Sequence, residues 1–142
     1  MYKRQVFDTD RTVATATETF IAGPIFVPLY GFGRALTVRA RCATSDVSKQ
    51  GTVKFSASVA PPSGTSSTAF RFDDYANETA GLYATVTTSS TTQGYTSTSA
   101  ITYPSRMADG RLHGMWLTVT GECATGGTLA VTAIEVYETA LT

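Results

Sequence analysis

The sequence predicts an all-β fold: a two-sheet antiparallel β-sandwich, jelly-roll-like, with about eight strands and an internal hairpin repeat. Three observations predict it. Apolar and polar residues alternate with period two in segments that recur every 10 to 20 residues, separated by clusters of Gly, Pro, Ser and Asp. Thr is the commonest residue, and Thr, Val, Tyr and Phe suit a pleated, half-buried surface while strong helix formers are scarce. One stretch of sequence recurs in the second half of the chain. With 142 residues, the chain fits one domain able to bury a full core.

The alternating segments place strands near 12–21, 34–43, 51–60, 68–73, 81–88, 95–103, 111–121 and 127–138. No convincing helix lies between them, which excludes alternating βαβ units and favours a sandwich or jelly roll. Gly31-Phe-Gly33, Pro61-Pro-Ser-Gly64 and Gly126-Gly127 are the clearest turn signals. Met1 to Gln5 is the translation of GTG TAT AAG AGA CAG read from a GTG start, a string that resembles the end of a transposon adapter used to build sequencing libraries. We therefore expect 1–5 to be a scar from a metagenomic contig and 6–142 to be the single domain. A signal peptide is not assessable on that reading.

In the repeat, Leu36-Thr-Val-Arg-Ala-Arg-Cys-Ala-Thr44 matches Leu117-Thr-Val-Thr-Gly-Glu-Cys-Ala-Thr125. After a longer spacer in the first copy, Gly51-Thr-Val-Lys-Phe-Ser-Ala57 matches Gly127-Thr-Leu-Ala-Val-Thr-Ala133. Each copy reads as strand, turn, strand, and hence as a hairpin. Alternation assigns Leu36, Val38, Ala40 and Cys42, with Leu117, Val119, Gly121 and Cys123, to the core face. Val53, Phe55 and Ala57 join them, as do Leu129, Val131 and Ala133. Thr37, Arg39, Arg41, Lys54 and Ser56 are expected outward, as are Thr118, Thr120, Glu122, Ala130 and Thr132. The alternation slips at Ile134-Glu135-Val136, which suggests a bulge or a strand covered on both faces.

Composition excludes several classes. Hydrophobic residues make up 42% of the chain, too many for a disordered one, and charged residues 15%, where about 25% is usual. The formal net charge is zero, so no general affinity for nucleic acid or for an anionic membrane is expected. No apolar run is long enough for a membrane span. The excess of Thr and the scarcity of Lys suit an extracellular particle or a secreted module.

Few residues point to chemistry. Cys42 and Cys123 end equivalent strands of the repeat, so they are expected at one end of the sandwich. They are either two buried thiols or a disulfide closing a long loop. His113, the lone histidine, has no Ser, Cys or paired carboxylate nearby in sequence and reads as structural. Asp73-Asp74 and Asp8-Thr-Asp10 lack the spacing of a calcium loop, and two cysteines with one distant histidine are too few for zinc. No catalytic residue, metal ligand or cofactor is assigned, and the chain is read as a non-enzyme. Asn77-Glu-Thr79 is a glycosylation sequon, and Thr85 to Ser99 reads as an extended, exposed hairpin. Arg39, Arg41 and Lys54 form a small basic stripe, with Arg41 expected to pair with Glu122.

Two aromatic groups remain. Phe20 to Gly33 is the most apolar segment; its prolines argue for an edge or an ordered loop, either buried as a sheet cover or presenting Phe26, Leu29, Tyr30 and Phe32 to another subunit. Trp116 is expected to point away from the Leu117/Val119 face, either joining Tyr83 or Tyr95 as a ligand-stacking platform for a glycan or packing under a neighbouring strand or subunit, the simpler reading.

The Thr/Ala/Gly-rich chain and its closing Gly127-Thr-Leu-Ala-Val-Thr-Ala-Ile-Glu-Val-Tyr137 resemble the jelly-roll virion structural modules of bacteriophages, of the head-decoration, tail or fibre type. That resemblance implies a structural subunit that self-assembles through loops and edge strands as a trimer or lattice, in a virion, with no chemistry of its own. Its partners would be further copies or other virion subunits. Two other readings share the architecture. One is a secreted carbohydrate-binding module or adhesin; the other is an extracellular filament subunit in which Thr12 to Ile21 leaves its own domain to complete a neighbour's sheet.

Overall fold

The computed structural model describes residues 4–28, 35–58, 83–102 and 114–138. They form nine strands: β1 (Arg4–Val13), β2 (Thr19–Pro28), β3 (Ala35–Thr44), β4 (Gly51–Ser58), β5 (Tyr83–Thr88), β6 (Gly94–Tyr95), β7 (Ser99–Thr102), β8 (Gly114–Cys123) and β9 (Leu129–Glu138). The first sheet runs β1-β9-β3-β6, with β7 also on β3, and the second runs β2-β8-β4-β5; every pairing is antiparallel. The all-β two-sheet sandwich expected from the alternation is therefore present. The strands anticipated near 34–43, 51–60, 81–88, 111–121 and 127–138 correspond to β3, β4, β5, β8 and β9, whereas 68–73 lies outside the described residues.

Two expected strands are divided. Residues 12–21 contain the end of β1, a turn and the start of β2, and 95–103 is split into β6 and β7. The segment 12–21 thus does not leave the domain: Val13 and Ile21 are both buried in its own core. Alternation ran on through Ala14 to Glu18 because Thr and Ala alternate there whether or not the chain turns.

The main correction concerns connectivity. Four of the described connections pass from one sheet to the other: 14–18 joins β1 to β2, 45–50 joins β3 to β4, 89–93 joins β5 to β6, and 124–128 joins β8 to β9; only 96–98, between β6 and β7, stays within one sheet among the described residues. Neither repeat copy is a hairpin, and neither is 85–99. Each repeat copy is an arch with one strand in each sheet, and the two copies pair crosswise, β3 with β9 and β8 with β4. Alternating sheets in this way, with two four-position layers, is the strand order of a jelly roll.

The crosswise pairing has an internal two-fold relation. Val38–Val136 corresponds to Val119–Phe55, Ala40–Ile134 to Gly121–Val53, and Arg39–Glu135 to Thr120–Lys54, all with one constant offset along the chain. The return strands are therefore not matched as the sequence repeat aligns them: Phe55 is equivalent to Val136 rather than to Val131. The shorter second connection shifts β9, which begins beside Thr44 while β4 begins beside Cys123.

The core lies between the sheets. Leu36, Val38, Leu129, Val131, Ile134 and Val136 of the first sheet meet Val53, Phe55, Leu117 and Val119 of the second, with Val13, Ile21, Val27 and Ile101 closing the flanks. Of the two explanations anticipated near Ile134-Glu135-Val136, coverage on both faces holds at these residues, and the bulge falls just before them, at Thr132. The β3–β9 register shifts between Arg41 and Cys42, and Ala133 to Val136 are buried without interruption.

Candidate functional site

The four described turns converge on one end of the sandwich and are tied together by backbone hydrogen bonds. Thr44 N–H donates to Ser90 O (2.8 Å), Ser45 N–H to Thr128 O (2.9 Å), Cys123 N–H to Thr15 O (2.8 Å) and Ala124 N–H to Gln50 O (3.0 Å). Asp46 accepts from Ser48 N–H at 2.7 Å and from its hydroxyl at 2.8 Å, and these bonds hold its carboxyl below the usual carboxylate range. Because the amides at 44–45 and 123–124 donate to carbonyls of the other connections, this end is built as one unit.

Cys42 and Cys123 come to this end, on β3 of one sheet and β8 of the other. Both are free and buried. Desolvation pushes the Cys42 thiol up to about 11 and also raises that of Cys123. Burial among apolar side chains disfavours the thiolate, so neither sulfur is set up as a nucleophile. Among the described residues no group of three or more His, Cys, Asp or Glu is placed to hold a metal ion, and no helix is long and apolar enough to cross a membrane. His113, Asp73, Asp74 and Asn77 lie outside the described residues.

The expected basic stripe does not exist as one surface. Arg39 and Arg41 lie on the outer face of the first sheet and Lys54 on that of the second, because the strands of one repeat copy belong to different sheets. Arg41 does not take Glu122 as its partner; it donates to Thr132 Oγ1 at 3.3 Å. Arg39 instead pairs with Glu135 at 2.8 Å and lies over the Tyr95 ring at 4.3 Å. Glu135 is 2% exposed, so its charge is compensated by a guanidinium that is itself held against an aromatic face. A lone Glu inside an apolar run was the only sequence signal for this pair.

The aromatic candidates divide in the same way. Tyr95 is on the first sheet, Tyr83 and Trp116 on the second, so the three do not form one platform. Lys54 covers Tyr83 at 4.2 Å, as Arg39 covers Tyr95. Trp116 instead meets Phe26, its cross-strand neighbour, edge to face with ring centroids 5.3 Å apart. The structure thereby joins one residue of each expected group into a single outward patch, in which Phe26 is 46% exposed. Leu29, Tyr30 and Phe32 lie outside the described residues.

Beyond this patch the outer face of the second sheet is polar. Glu18, Thr52, Lys54, Thr85, Gly121 and Glu122 line a hollow of about 210 Å³, and Thr120 donates to Glu18 at 2.5 Å. Ser56, Thr118 and Thr120, expected outward, are buried, as is Thr37 on the other sheet. For Thr118 one cause is visible: the Gly23 backbone sits directly against it. Ser56 Oγ and Thr118 Oγ1, on paired residues, have no hydrogen-bond partner. Sequence alternation reports which side of a strand a residue occupies and not what crosses over that side.

The sequence matches no protein-family model and no curated protein. Among solved structures the chain is similar to one of turnip yellow mosaic virus, at 11% identity and a TM-score of 0.32, covering 99% of this chain and 95% of that one. It is similar to the empty head of the same virus at 12% identity and a TM-score of 0.35, covering 100% and 83%. A structure of deformed wing virus carrying the GFP gene aligns at 10% identity and a TM-score of 0.35, covering 100% of this chain and 44% of that one. Superpositions this distant carry no argument about what the chain does.

Proposed function

We propose that the chain is a non-enzymatic structural subunit that assembles into an extracellular particle, specifically a bacteriophage virion protein of the capsid-decoration, tail or fibre kind. The observation that carries this reading is the Phe26–Trp116 pair across β2 and β8, in which Phe26 is exposed on β2, an edge strand among the described residues, and Trp116 is half-buried beside it. Aromatic side chains at this degree of exposure are costly in water and are enriched in the cores of protein interfaces. The jelly-roll strand order is compatible with the reading, since viral capsid domains use it; lectins and cupins use it too, so it does not select the function. Among the described residues the interior is filled with aliphatic side chains, Phe55 and the two buried thiols of Cys42 and Cys123.

The test is assembly. Purified chain weighed by light scattering is expected to run as a trimer or larger species, and Phe26→Ser to lower that mass without changing the circular dichroism spectrum. A wild-type chain that stays monomeric at high concentration would overturn the proposal.

A further inference from the structure

Among the described residues the two sheets end in four edges, and three of them carry features that obstruct pairing with another chain. β1 has a register shift between Asp8 and Arg11, a positive φ at Asp10, and charged residues at Arg4, Asp8, Asp10 and Arg11. β2 breaks register twice and contains Pro24 and Pro28, which lack an N–H. The edge opposite β1 consists of two short pieces, β6 and β7, separated by residues 96–98. Interruption, bulges, proline and charge are the devices by which native sheets keep their edges from joining other strands.

β5 has none of them. Tyr83-Ala-Thr-Val-Thr-Thr88 is uncharged, contains no Pro or Gly, and pairs with β4 without a register shift from Ser56–Tyr83 to Gly51–Thr88. Its alternation is regular, with Ala84 and Val86 buried in the core and Tyr83, Thr85 and Thr87 exposed.

We propose that β5 is the edge through which two copies of this chain join, antiparallel and about a two-fold axis, extending the second sheet continuously from one copy into the next. The proposal rests on the assembly reading above and names a contact that the aromatic patch does not supply. A second copy is the fitting occupant because the strand complements itself. In a two-fold pair centred on Thr85, Tyr83 faces Thr87 of the other copy, and Ala84 faces Val86. The first is an aromatic–β-branched pair of the kind that stabilises antiparallel strands. The second continues the apolar layer, and no charge on the strand opposes itself across the axis. Lys54, the cross-strand neighbour of Thr85, lies against Tyr83 of its own copy.

The experiment weighs four forms of the full chain by sedimentation over a range of concentrations: wild type, Phe26→Ser, Thr85→Lys and the double variant. Phe26→Ser removes the aromatic contact and is expected to leave a dimer held by β5. Thr85→Lys places a charge on an exposed position of that edge, and the double variant is expected to be monomeric. Thr85→Val keeps the strand's shape and should behave as wild type, and near-identical circular dichroism spectra establish that all forms are folded. A monomeric Phe26→Ser overturns the β5 contact while leaving the assembly reading intact, and so does an oligomer whose mass Thr85→Lys leaves unchanged. A wild-type monomer overturns both. Hydrogen exchange gives a second readout, since the amides of 84–86 should slow as concentration rises only if β5 pairs between copies.

Discussion

Phe55, with no solvent exposure, is the largest fully buried side chain among the described residues and stands where the two arches cross, between Val119 and Ala84. Replacing it by Ala removes most of a ring from a close-packed interior, and the loss is expected to be about 3–5 kcal/mol in urea unfolding. A loss below about 1 kcal/mol would mean that the layer around it is loosely packed. Cys42 gives a pH prediction. Its folded value is raised to about 11 from an ordinary thiol value of 9.0, so the native state holds its proton where the unfolded chain has lost it. The associated stability is fully present below pH 9 and declines as pH rises towards 11. Unfolding titrations of wild type and Cys42→Ala should show a decline in that window that is steeper in wild type. At this scale the sequence was informative: Leu36, Val38, Ala40, Val53, Phe55, Leu117 and Val119 are buried as period-two alternation required. It was less so for Ser56 and Thr118, expected outward but buried, because burial of an outward residue depends on what lies across the sheet.

β2 departs furthest from a regular element, and the departure has a use. Its backbone at Gly23 has φ +117 and approaches β8 so closely that a Cβ there would lie 2.7 Å from Leu117 O and 3.0 Å from Thr118 Cα. Backbone atoms cannot move aside as a flexible side chain can. Gly23→Ala is therefore expected to cost more than the roughly 1 kcal/mol of an ordinary conformational penalty at a positive-φ position, measured as a fall in melting temperature. The element scale also decides the filament reading. Removing residues 1–22 would take away β1, Val13 and Ile21, exposing β9 and the buried flank they cover. The truncated chain is expected to lose cooperative unfolding altogether, whereas a donated strand would leave a folded domain behind. The expectation of a single strand at 12–21 did not survive because the pattern of Thr and Ala is the same in a strand and in the turn that ends it.

For the whole molecule, the repeat predicts a shared core and the structure supplies its geometry. Two arches cross so that β3 pairs with β9 and β8 with β4, and the registers of the two pairs are related by one offset. This brings four turns to one end, joined by inter-turn hydrogen bonds, and places Cys42 and Cys123 there as the sequence anticipated, though in different sheets. It also separates what sequence proximity had grouped: Arg39 and Arg41 from Lys54, and Tyr95 from Tyr83 and Trp116. The Phe26–Trp116 patch and the plain edge of β5 consequently both belong to the second sheet, towards its two opposite edges, so the two proposed contacts fall on different sides of it.

Local physical chemistry determined the strands and their inward faces, because the alternation of side chains across a pleated backbone has a fixed period and apolar residues must leave water wherever the strand goes. Which sheet each strand joins was decided only in three dimensions. A short connection rich in Ser, Thr and Gly serves a hairpin or an arch equally well, and the choice is made by the partner against which each apolar face is finally buried.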